Sequence, residues 1–117
     1  MYAAEEHHRF DKLIRKYYCD HQMIRDLLKI LLRDLPKSLH ELEDGLMETN
    51  IAKVRKAAHS LANISGTVLE SEILDLARRV EYACASQNLK EAELYLHPLR
   101  ERVSALCVDA DKFLQVS

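Results

Sequence analysis

The sequence predicts an all-α fold: one domain spanning residues 1–117, built as an antiparallel up-down four-helix bundle with an additional N-terminal helix. Three observations lead there. The chain holds only 2 Gly and 2 Pro in 117 residues. Its hydrophobic share of 48% stands beside a charged share of 31%, the balance that helices with one buried and one solvated face require. Apolar residues recur at steps of three and four along five segments, and the breaks between them are short and polar.

The first segment runs from about Ala3 to Tyr18, with Phe10, Leu13, Ile14 and Tyr17 on one face. Asp20 is placed to cap the second. There Ile24, Leu27, Leu28, Leu31, Leu35, Leu39, Leu42 and Leu46 make one stripe that keeps its phase through Pro36, so one long helix, kinked at the proline, is expected. Gly45 and Glu48-Thr49-Asn50 are expected to end it, and Asn50 to cap a third helix reaching about Leu69. Ser71 is expected to cap the fourth, which turns Ile73, Leu76, Ala77, Val80 and Cys84 inward. After a turn at Gln87-Asn88, Asn88 and Glu91 read as a capping box for a last helix, which Pro98 splits or bends. Short connections force successive long helices antiparallel, and the first segment then covers an end or a side.

The net charge of -2 gives no field for nucleic acid or an acidic membrane, so neither is an expected partner. Cys19, Cys84 and Cys107 form no CxxC pair, and read as buried thiols of a reducing compartment with the cytoplasm as default. No apolar run reaches the roughly 20 residues of a membrane span. Well-charged polar faces make a monomer the expected state. The six histidines, at positions 7, 8, 21, 40, 59 and 97, include only one Glu-x-x-His pair, Glu5 with His8, where a di-iron bundle needs two; no metal site is expected.

His59 stands apart from the other five. On a helical wheel of about 100° per residue, Val54, Ala57, Leu61, Ile64 and Val68 fall opposite it, so its ring points away from the core. Around it lie Ala52, Arg55, Lys56, Ala62, Asn63 and Gly66, all small except the two basic residues. A glycine inside a helix costs about 1 kcal/mol relative to alanine, and ground cleared in this way suits the close approach of another molecule. A neutral imidazole keeps a lone pair able to attack phosphorus, Arg55 and Lys56 can offset the charge of a phosphoryl group, and the Asn63 amide can donate to it.

The run Ala57-Ala58-His59-Ser60-Leu61-Ala62-Asn63-Ile64-Ser65-Gly66, followed by Ile73, Leu76-Ala77 and Val80-Glu81, resembles the histidine-containing phosphotransfer (HPt) family, whose members typically read A-H-[ST]-L-K-G, a glycine seven residues past the histidine, then L-x-x-L-A-x-x-L-E. More loosely, the resemblance covers nearly the whole chain. It implies a phosphorelay module in which His59 takes a phosphoryl group from a receiver-domain aspartate and passes it to another receiver. The partners would be receiver domains of response regulators or hybrid sensor kinases. It also implies that Glu81 faces the active histidine and orients its ring; a surface pair with Arg78 is the alternative role. Two positions depart from the pattern: Ala62 stands where the family usually has Lys, and Asn63 where it usually has Gly. Lys56 is then the nearest replacement on the same helix. The chain has no Gly-rich nucleotide loop, so it is expected to be a carrier and not an enzyme, with no cofactor of its own and the divalent metal on the partner receiver. The alternative is a degenerate HPt-like scaffold that binds receivers without carrying phosphate.

Overall fold

The computed structural model describes residues 9–18 and 20–116. Among them the ordered elements are all helical: α1 (Asp11–Lys16), α2 (His21–Met47), α3 (Ile51–Thr67), α4 (Ser71–Ala85), α5 (Leu89–Glu93) and α6 (Leu96–Val116). The part of the first segment before Arg9, with Glu5, His7 and His8, and also Cys19, lie outside the described residues.

The leucine stripe of α2 is the spine. Seven of its eight residues are buried and Leu27 is half-buried, so the stripe fixes which side of a 27-residue helix the other elements cover. The Asp20 carboxylate accepts the Met23 N–H at 3.1 Å, and α2 then passes Pro36 without a break. Gly45 lies inside α2 and does not end it. A Cβ there would stand 2.8 Å from the Val54 methyl and 3.0 Å from the Val54 nitrogen, so the missing side chain is what lets the start of α3 approach α2.

Three tight reversals join α2 to α3, α3 to α4 and α4 to α5. In each, a residue in the left-handed region (Thr49, Leu69, Gln87; φ 54°, 61°, 59°) closes the helix, and the next residue's N–H reaches back to a carbonyl five residues earlier. Asn50 donates to Gly45 at 2.9 Å, Glu70 to Ser65 at 2.8 Å and Asn88 to Ala83 at 2.8 Å, the Schellman arrangement. None of the three left-handed residues is glycine, and each carries the steric cost that glycine avoids. The residue that completes each reversal also begins the next helix. Asn50 and Asn88 cap with their side chains, accepting from Lys53 and Glu91 at 3.1 and 3.0 Å.

At the middle reversal this geometry corrects the expected cap. With Leu69 left-handed, the N-cap position falls on Glu70, and Ser71 becomes the first helical residue. Glu70 makes no capping hydrogen bond, because its carboxylate is held by Arg9 at 2.9 Å. The last helix is split, as expected, into α5 and α6. The break comes at Leu94-Tyr95, because a proline ring collides with the carbonyl four residues back; Pro98 therefore sits in the first turn of α6, where its missing N–H is not needed.

Helix α3 packs along both α2 and α4, α6 packs on α2 and α4, and α5 bridges α4 and α6. The N-terminal segment seals one end. Phe10 is fully buried with its ring edge-on to Phe113 at 5.5 Å, while Arg9 bonds Glu70 and Asp109, tying the α3–α4 reversal to α6. Among the described residues, no helix is long and apolar enough to cross a membrane.

Candidate functional site

Helix α3 is amphipathic around the axis predicted for it. Val54, Ala57, Leu61 and Val68 are buried and Ile64 is half-buried, whereas the His59 side chain is 64% exposed at mid-helix. No long side chain roofs it over. Its Nδ1 lies 3.2 Å from Oε2 of Glu81 on α4, while Nε2 makes no hydrogen bond among the described residues. Of the two roles open to Glu81, the pairing is with His59; no ion pair joins it to Arg78 among the described residues.

This contact has a chemical consequence. A carboxylate can only accept, so the tautomer it favours carries the proton on Nδ1 and leaves the lone pair on Nε2. Glu81 is itself half-buried, its side chain 27% exposed, which limits the orientations in which it can hold the ring. The ring is thus fixed at one nitrogen and open at the other.

The pair opens into a groove of about 390 Å³ between α3 and α4, lined by Arg55, His59, Ala62, Asn63, Arg78, Glu81, Tyr82 and Ala85. Of the residues the sequence pointed to, Arg55, Asn63 and Glu81 therefore join His59. Lys56 and Gly66 do not line it. The wheel explains the split: Arg55 and Ala62 lie about 40° to 60° to one side of His59, Lys56 and Asn63 about as far to the other. Helix α4 covers the first side. Asn63 stands high enough on the ridge to border both this groove and a second one against α2, which it shares with Asp34, Lys37, Ser38, Glu41, Ser60 and Ile64. Ala62 is 6% exposed, so part of the cleared ground around His59 is taken up by α4 of the same chain. Gly66 is different: a Cβ built on it would meet nothing within 4 Å.

Arg78, Tyr82 and Ala85 complete the groove; the sequence pointed to Arg78 only as the alternative partner of Glu81, and to the other two not at all. The signal existed for Arg78: it precedes Glu81 by three residues, so whatever turns Glu81 toward His59 brings Arg78 along, while Tyr82, about 100° further round α4, falls at the rim. Tyr82 is 77% exposed and offers an aromatic surface at the rim. Neither Arg55 nor Arg78 makes an ion pair or hydrogen bond among the described residues. Beside the groove Cys84 is buried; burial pushes its thiol pKa up, against the pull of Arg55 and with the push of Glu81. Cys107, expected to be buried, is half-buried.

The other described histidines are surface residues, as expected. His40 and His97 pair with carboxylates one turn along, Asp44 at 3.5 Å and Glu101 at 2.9 Å, and His21 is exposed at the start of α2. Among the described residues, no three His, Cys, Asp or Glu side chains cluster as a metal site would need. Compared with known protein families, curated proteins and solved structures, the chain matches none.

Proposed function

We propose that this chain is a histidine phosphotransfer module that accepts a phosphoryl group on Nε2 of His59 and hands it on to an aspartate of a second protein. The observation that carries the reading is the His59–Glu81 pair, with one ring nitrogen held by a carboxylate at 3.2 Å and the other facing open space at mid-helix. The finer architecture belongs to the same proposal. Three-residue reversals at 48–50 and 68–70 leave successive helices no choice but to run antiparallel, so α2, α3, α4 and α6 form an up-down four-helix bundle with α1 across one end.

In the reaction, the Nε2 lone pair forms the N–P bond as the O–P bond of a receiver's aspartyl phosphate breaks in line, and the leaving carboxylate takes the bonding pair. The Nδ1 proton stays in place. The phosphorylated ring therefore carries positive charge, which the Glu81 carboxylate offsets, and the return transfer runs through the same geometry. Receiver domains suit this role because they supply both the acyl phosphate and the divalent metal. Tyr82 at the groove rim and the open space above Gly66 give such a partner an aromatic contact and a close approach.

One observation favours the scaffold alternative: Ala62 puts no cation where the HPt pattern has lysine. A partner-independent donor decides between the two readings. Incubated with phosphoramidate, a small N–P donor, the wild type should gain one acid-labile, base-stable phosphoryl group, and His59→Gln should gain none. A wild type that stays unlabelled, or a label that persists in His59→Gln, excludes the carrier reading.

A further inference from the structure

Resting on that reading, we infer that Arg78 binds the phosphoryl group on His59, reaching across the groove from α4 to supply the cation that α3 lacks at Ala62. Three observations converge on it.

First, the groove has a gap. Ala62 lines it beside His59 and ends at its Cβ, so no side chain of α3 extends from this position over the space next to the ring. Second, Arg78 enters the same groove from the opposite wall. Since α3 and α4 run antiparallel, a position three residues after His59 on α3 lies level with one three residues before Glu81 on α4, and those positions are Ala62 and Arg78. Third, Arg78 is unpaired among the described residues although Glu81 is its neighbour one turn along. Among the described residues most other arginines are engaged: Arg9 with Glu70 and Asp109, Arg25 with the Leu114 carbonyl, Arg33 with Asp34, Arg100 with Glu43, Arg102 with Glu72, and Arg79 over the Tyr95 ring; Arg15, exposed on α1, is not. A guanidinium left free beside an open imidazole is available to an oxyanion, and its planar fork can give a phosphoryl group two parallel hydrogen bonds that an ammonium cannot. Arg55, one turn before His59 on α3, is also unpaired, but it lies toward the Ala85 end of the groove and adds charge without filling the gap.

The assignment predicts different consequences for Arg78 and for its neighbour on the same helix. With phosphoramidate as donor, Arg78→Ala should label His59 about tenfold more slowly than wild type, a loss of the size one exposed charge-assisted interaction gives. The phosphoryl group on His59, followed by phosphorus NMR, should titrate at a higher pH in Arg78→Ala, by about half a unit, because a nearby cation favours its dianion. A merely structural residue would not move that midpoint. Arg78→Lys should keep most of the rate, and Ala62→Lys should restore it in the Arg78→Ala background. Arg79→Ala should behave as wild type in both readouts. If Arg78→Ala labels at the wild-type rate with an unmoved midpoint while His59 is labelled, the assignment to Arg78 is overturned and the carrier reading stands. A wild type with no label on His59 overturns both. Circular dichroism of each variant separates loss of fold from loss of function, and Arg78→Lys keeps the test decisive should the double variant not fold.

Discussion

Two charged regions of this molecule handle arginine in opposite ways. At the sealed end, Arg9 meets Glu70 and Asp109 at 2.9 Å each, and the three side chains are mostly withdrawn from solvent. Burial works against the Arg9 charge, but the two carboxylates outweigh it and hold the guanidinium pKa above its ordinary value. In the His59 groove, Arg55 and Arg78 have no partner among the described residues, and the one nearby carboxylate, Glu81, is committed to the histidine. Matched charges around closed packing hold a fold together. Unmatched charges around an open nitrogen contribute nothing to folding that a neutral side chain would not, and on the proposed function their use lies outside the chain.

The contrast is measurable as stability. Arg9→Ala removes two charge-assisted hydrogen bonds and leaves the Glu70 carboxylate with little solvent, which should cost about 2 kcal/mol in urea unfolding. Arg55→Ala and Arg78→Ala should each stay within about 0.5 kcal/mol of wild type. Equal losses at both regions would mean that the groove arginines are structural after all.

Gly66 and Gly45 differ in the same way at a smaller scale. The Gly66 Cβ position is open, its backbone is ordinary helix, and alanine is the better helix former, so Gly66→Ala should stabilise the chain by about 1 kcal/mol. On the proposed function the methyl group intrudes on a docking partner and not on the chemistry. Transfer from an aspartyl-phosphorylated receiver should slow while labelling by phosphoramidate is unchanged. Gly45→Ala should do the reverse to stability, because its Cβ runs into Val54.

Much of this was legible from the residues. The α2 stripe, the Asp20, Asn50 and Asn88 caps and the outward ring of His59 follow from spacing and side-chain chemistry, because each depends on contacts within about one turn of helix. What was not legible depends on how helices meet. Ser71 looks like a better cap than Glu70, and only the left-handed turn at Leu69 moves the cap position by one residue. Lys56 and Arg55 look equivalent on a wheel, until α4 covers one flank of α3 and leaves Lys56 on the other. For Arg78 the local sign is only its spacing, three residues before Glu81; its place beside His59 is set by the rotation of α4, which the pairing of Glu81 with the ring reports.

The smallest of the expected effects tests the matched region by pH. Burial raises the Glu70 carboxyl above its ordinary pKa even though Arg9 pulls the other way, so the folded chain binds this proton more readily than the unfolded chain does. The folded state then bears a penalty whenever Glu70 is ionised. That penalty is complete at pH above the folded value and vanishes below the unfolded one, so this group's contribution to stability rises as pH falls through the carboxylate range. The Glu70→Gln variant lacks the titration but keeps an oxygen for Arg9. Between about pH 7 and about pH 4, the stability of wild type relative to Glu70→Gln should drift upward by a fraction of a kcal/mol. A drift downward would mean that Arg9 outweighs burial and that the ion pair, not the packing around it, governs this end of the molecule. The His59 groove offers a contrast, since neither Arg55 nor Arg78 has a carboxylate partner whose protonation could unpair it.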